Sequence, residues 1–81
     1  MSEQEKQLIL KIANFVIIKT MNSKTSEVDY GTVAKFMNVP VEIIRTVASQ
    51  VCNCLINNLN VDDVDIQDDY IFDVMLKRRI A

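Results

Sequence analysis

Asp29-Tyr30-Gly31-Thr32-Val33-Ala34-Lys35-Phe36-Met37-Asn38-Val39-Pro40-Val41-Glu42-Ile43-Ile44-Arg45-Thr46-Val47 is the stretch on which the fold turns. Asp29 or Ser26 offers a side-chain oxygen suited to capping a helix over about 30–37, with Val33, Phe36 and Met37 as its apolar members. Asn38 suits the left-handed position just past a helix end. Pro40 then fits the first turn of a new helix, where its missing N–H costs little, and Glu42 adds charge at the favourable end of the dipole. That helix, about 40–58, is the most clearly amphipathic segment. Ile44, Val47, Ala48, Val51 and Leu55 recur at three and four residues on one face, with Thr46, Ser49, Gln50, Asn53 and Asn57 on the other.

Working outward, the chain before this stretch predicts a long helix over about 3–21. Ser2 followed by Glu5 is a capping-box pattern, and the acidic start suits the dipole. Leu8, Ile12 and Phe15, broadened by Ile9 and Val16, form one apolar stripe. Leu10, Ala13, Ile17 and Met21 form a second on roughly the opposite side, so this helix is either central in the fold or shared with a partner. Asn22 to Val28 reads as a polar loop. Beyond the amphipathic helix, Asn58 to Asp69 reads as an acidic loop in which Val61, Val64 and Ile66 are spaced for a short extended segment. A last helix over about 68–79 is expected, opened by Asp68-Asp69 and closed by Lys77-Arg78-Arg79, with Tyr70, Ile71, Val74 and Met75 as its apolar members. The expected fold is therefore all-α, a single four-helix domain over 1–81, with helices at about 3–21, 30–37, 40–58 and 68–79.

Composition narrows the chemistry. The 81 residues suit one domain, and 49% apolar content argues against disorder. One Gly and one Pro leave few tight turns, which favours helices over an all-β fold. Net charge is −2, with six basic and five acidic residues over 1–60 and three basic against six acidic over 61–81. Whole-chain charge therefore carries no nucleic-acid footprint. The N-terminus is polar and acidic, unlike a secretory signal, and the uncharged apolar run Ile12–Ile18 is far short of the ~20 residues a membrane span needs. A cytoplasmic protein is expected. Cys52 and Cys54 lie two apart on a helix, pointing away from each other, so they read as small hydrophobes in a reducing compartment.

With no His, the commonest general base and zinc ligand is missing, and two Cys do not complete any usual zinc set. A single Gly excludes a P-loop or dinucleotide fingerprint. The carboxylates Asp62, Asp63, Asp65, Asp68 and Asp69 fail the calcium-loop pattern, because counting from Asp63 puts Asp68 where Gly belongs and Val74 where Glu belongs. No enzyme, metal or small-molecule cofactor is expected.

The stretch from Tyr30 to about Ser49 resembles a helix-turn-helix. That pattern places a small residue where the helices cross, here Ala34, and a turn residue four positions on, here Asn38 in place of the usual Gly. An apolar plug follows, Val39, and Ile44 and Val47 pack the second helix back on the first. If the segment bound DNA as that family does, Glu42, Arg45, Thr46 and Ser49 would face the bases and Lys35 the phosphates. This face offers one Arg opposed by Glu42, a poor set for phosphate neutralisation.

Two functions follow as expectations. The leading one is a small non-enzymatic regulatory or adaptor protein that binds another protein, or a second copy of itself, through an apolar helical surface including Leu10, Ile17 and Met21. The alternative is a helix-turn-helix transcriptional regulator that reads DNA through Lys35, Glu42, Arg45, Thr46 and Ser49. The abundance of Ile, Asn, Val, Asp and Lys is similar in style to small phage or A+T-rich bacterial regulators.

Overall fold

Local chemistry sets each helix. In the computed structural model, which describes residues 2–23, 25–59 and 61–76, helix α1 spans Glu3–Ser23. The Glu5 amide donates to Ser2 Oγ at 3.2 Å, so the expected cap forms. Strand β1 (Glu27–Asp29) leads into helix α2 (Tyr30–Met37), whose first turn is held by Asp29. The Asp29 carboxylate accepts the Thr32 amide at 3.1 Å and the Thr32 hydroxyl at 2.6 Å. That hydroxyl is the main cause that lowers the Asp29 carboxyl below its ordinary range.

Helix α2 ends as its sequence dictates. Asn38 is left-handed (φ 57°, ψ 47°), its amide donates to the Lys35 carbonyl, and the Val39 amide donates to the Ala34 carbonyl. These two bonds make a Schellman motif, with Val39 folded back toward Ala34. The chain turns by 107° and enters helix α3 (Val41–Asn58), with extended Pro40 as its cap, one residue earlier than the first-turn position expected. A sharp crossing over a short turn is helix-turn-helix geometry.

The all-α expectation ends here. Residues Val61–Gln67 form strand β2 and Ile71–Leu76 form strand β3, so the fold is α+β: among the described residues, three helices and a three-stranded antiparallel sheet ordered β1-β3-β2. The expected helix over 68–79 does not form across its described part, and 77–79 lie outside the described residues. Asp68 and Asp69 are both left-handed, with φ 52° and 61°, and the Tyr70 amide donates to the Gln67 carbonyl at 3.0 Å. Two consecutive left-handed residues turn the chain within the three-residue loop 68–70 that joins the antiparallel strands, and they cannot start a right-handed helix. Aspartate tolerates that conformation better than most residues. The hairpin β2–β3, called the wing below, contains the extended segment anticipated at Val61–Ile66. The loop expected over Asn22–Val28 also gives way, since Glu27 and Val28 belong to β1 and pair with Asp73 and Phe72 of β3.

The core sits between the sheet's inner face and the three helices. Val28, Val61, Phe72 and Val74 meet Ile12, Ala13 and Val16 of α1, Tyr30 and Val33 of α2, and Ile44, Val51 and Leu55 of α3. The buried face of α1 draws on both predicted stripes, because Ala13 from the second is fully buried beside Ile12 and Val16. A lone buried hydroxyl on that face, Thr20, donates to the Val16 carbonyl at 2.9 Å. Tyr30 packs its ring on Phe72 with centroids 4.7 Å apart, while its hydroxyl is buried with no hydrogen-bond partner.

On the outer face of the sheet, Glu27, Asp73 and Asp65 occupy one row across all three strands. Like charges directly opposed across strands are destabilising, by roughly 0.2–1 kcal/mol per pair. Asp65→Asn keeps an acceptor for the Ile66 amide and removes one charge from the row. It is expected to raise unfolding free energy by that amount in urea titrations, with the gain shrinking at about 1 M salt, where charges are screened within roughly 3 Å.

Burial pushes the Tyr30 phenol up to about 12. The folded state therefore holds its proton over a range in which the unfolded chain, titrating near 10, has lost it. Stability from this group is fully present below pH ~10 and is lost as pH rises toward ~12. Tyr30→Phe removes both the unpaired hydroxyl and this titration. Its thermal midpoint is expected to equal or exceed that of the wild type by a few degrees at pH 7, with a flatter decline between about pH 10 and 12.

Candidate functional site

Two surfaces carry side chains not absorbed by the core. The first is the outer face of α3. At about 100° per residue, Glu42, Arg45, Thr46 and Ser49 fall on one side of the helix, and all four are exposed, as is Lys35 on α2. The structure thus brings together the α3 residues that the DNA reading named. It also places the wing against them. Arg45 Nη2 donates to Asp69 Oδ2 at 2.5 Å, and its guanidinium lies 5.4 Å from the Tyr70 ring centroid. Asp69 holds the guanidinium still more firmly protonated. The Thr46 hydroxyl donates to the Glu42 carbonyl at 2.8 Å, so its proton is engaged within the helix. Glu42, Arg45, Thr46 and Asp69 line a shallow depression of about 330 Å³.

This face is electrostatically ill-suited to phosphate. Its one arginine already holds a carboxylate where a phosphate oxygen would sit. Asp62, Asp63, Asp65, Asp68, Asp69 and Asp73 all lie on the hairpin that flanks it. Affinity for nucleic acid comes largely from neutralising phosphates, so a wing of this sign opposes approach. Among the described residues, no three acidic or cysteine side chains are placed to hold a metal ion.

The second surface is apolar and lies where α1 and α2 meet. Phe36 stacks on Phe15 with centroids 4.2 Å apart and 19° between planes, yet Phe36 remains 65% exposed and Ile18, one turn from Phe15, 55% exposed. With Lys11, Asn14 and Met37 these residues line a groove of about 680 Å³. Of the interface residues named from sequence, Leu10 and Met21 are solvent-exposed, whereas Ile17 is half-buried against the core. Helical spacing puts these three on one flank of the α1 core face and Phe15 with Ile18 on the other.

Sequence reasoning missed the Phe36 surface. It counted Phe15 and Phe36 only as apolar members of their separate helices, and helical periodicity does not say which partner helix is too short to cover them. It also missed Asp69 as the partner of Arg45, because the pair is separated by 24 residues and joined only by the hairpin. The cysteines behave as small hydrophobes. Cys54 is buried and accepts from Asn58 Nδ2 at 3.6 Å, and burial pushes the Cys52 thiol up, away from the reactive thiolate. Among the described residues no single helix is long and apolar enough to cross a membrane.

No protein-family model, curated protein or solved structure matches this chain.

The ion pair is open to direct observation. Asp69→Asn is expected to move the Arg45 side-chain Nε–H resonance from a distinct position to that of free arginine, and about 1 M salt should do the same to the wild type. An unmoved resonance in the variant would mean that the wing does not hold Arg45.

Proposed function

We propose that this domain is a non-enzymatic regulatory or adaptor module that binds another protein through the apolar surface of its helices. The observation that carries this reading is the exposed Phe36, stacked on Phe15 and continuous with Ile18 and Met37. Large apolar residues clustered beside polar ones mark interaction sites, and aromatic side chains dominate the energetics of such contacts. Leu10 and Met21, both exposed on the same helix, extend the contact around α1. Ile17 serves as support beneath them, since it packs partly on the core.

The runner-up is DNA recognition by α3. It is favoured by the turn at Asn38 and by the shared exposure of Arg45, Thr46 and Ser49 beside Lys35. The Asp69 contact and the acidic wing weigh against it. Arg45→Glu combined with Lys35→Glu would abolish any salt-dependent shift of duplex DNA if that reading held.

Affinity purification from the native host, with and without nuclease, separates the two. The proposal expects a protein partner that survives nuclease and is lost from Phe36→Asp. It expects the partner to persist with Met75→Asp, a control on the outer face of the wing that is 60% exposed. Recovery that depends on nucleic acid would overturn it in favour of the runner-up. Truncating an aromatic anchor typically costs 2 kcal/mol or more, so Phe36→Asp should weaken binding by roughly thirtyfold or greater.

A further inference from the structure

The sheet has two rims, because β3 lies between β1 and β2. Hydrogen bonding along an antiparallel strand alternates between its two neighbours. The Tyr30 amide donates to the Tyr70 carbonyl and the Val74 amide to the Ser26 carbonyl, so residues 70, 72 and 74 bond toward β1 and 71, 73 and 75 toward β2. The register sets Gln67, Asp65 and Asp63 opposite the latter three. Val64 and Ile66 alternate with them and therefore aim their backbone N–H and C=O groups off the free rim of the wing. A seven-residue strand at an edge is a ready template for another strand.

Both of these amides are already engaged. The Val64 N–H donates to Asp63 Oδ1 and the Ile66 N–H to Asp65 Oδ1, each at 2.9 Å. Each carboxylate belongs to the preceding residue, which is exposed. The arrangement recurs on the opposite rim, where the amide of Glu27, also turned away from β3, donates to Thr25 Oγ1 at 3.2 Å. Water satisfies an exposed N–H equally well, so solvation does not require these bonds. Their effect is to occupy the donors that an incoming strand needs. Asp65 holds its place although it faces Asp73 and, beyond it, Glu27 along one row, a repulsion that a neutral residue would avoid.

We propose that Asp63 and Asp65 form an autoinhibitory cap on the wing, closing a β2 rim that otherwise takes up a second copy of this chain. The occupant follows from the rim being the same in both copies. Two β2 strands meet antiparallel about a twofold axis at Asp65, with Val64 opposite Ile66 of the second copy, and the two sheets become continuous. In that register the outward N–H groups reach carbonyls only once the carboxylates have let go of them. The two Asp65 side chains also face each other across the axis, which adds repulsion to the loss of donors. The contact lies on the wing and is independent of the function assigned to the Phe36 surface.

The test compares two variants of the full chain. Asp63→Ala with Asp65→Ala removes the charges and the acceptors, whereas Asp63→Asn with Asp65→Asn removes the charges and keeps the acceptors. Both positions are exposed, so the core is untouched. Light scattering up to about 1 mM protein is expected to show the wild type and the Asn pair as monomers, and the Ala pair dimerising with a Kd at least about tenfold lower than either. Amide hydrogen exchange at Val64 and Ile66 is expected to slow with protein concentration in the Ala pair only. Should the Ala pair not fold, Asp65→Ala alone carries the same expectation at Ile66, because it frees that amide and leaves the Val64 cap in place. Three results would overturn the proposal: alanine variants that stay monomeric at about 1 mM, equal dimerisation of the Asn pair, which would assign the effect to charge, or a dimer whose slowed amides lie on the helices and not on β2.

Discussion

Phe72 on Tyr30 is the contact on which the rest of the architecture depends. Both side chains are fully buried, and each belongs to a different half of the domain. The Tyr30 amide donates to the Tyr70 carbonyl at 2.7 Å, so the first residue of α2 is bonded to the loop residue just before β3. From that junction β3 pairs with β1 on one side and β2 on the other. A central strand anchored at the start of the helix-turn-helix places the wing beside α3 and brings Asp69 within reach of Arg45. The unpaired Tyr30 hydroxyl is a cost that the ring's burial outweighs, since a large aromatic surface removed from water is worth more than one lost hydrogen bond.

The surfaces divide by chemistry. The wing and outer sheet face are acidic, with Glu27, Asp73 and Asp65 in one row. Described lysines lie instead on α1 and α2, at Lys6, Lys11, Lys19 and Lys35. A molecule so polarised orients any charged partner before contact. The apolar groove at Phe36 falls on this helical side, away from the acidic wing. The α3 outer face, in contrast, is partly satisfied from within through Asp69 and Tyr70.

Three elements of the fold were legible from local pattern because local chemistry decides them. Asp29 caps α2, Asn38 ends it in the left-handed conformation, and the three-and-four spacing of Ile44, Val47, Val51 and Leu55 buries α3. The segment Tyr70–Leu76 was not legible. It is apolar at every position but Asp73, so helical and extended periods fit it equally well, and Phe72, the largest buried residue of the sheet, stands out in neither. Flanking charges at Asp68-Asp69 matched a helix start. The same two residues instead close a hairpin.

What the sequence determined by itself is the helix-turn-helix, the lack of any histidine and the lack of the several glycines a phosphate-binding loop requires. Capping, turn and periodicity act over a few residues, and inventory needs no geometry at all. Only the tertiary structure decided that the C-terminal segment is a strand, because a strand is stabilised by partners distant in sequence, here β1 and β2 on either side of it. It likewise decided that Ala13 is core while Phe36 is exposed, and that Arg45 meets Asp69. Each of these depends on which neighbour arrives to cover or pair a side chain, and that information is spread over the whole chain.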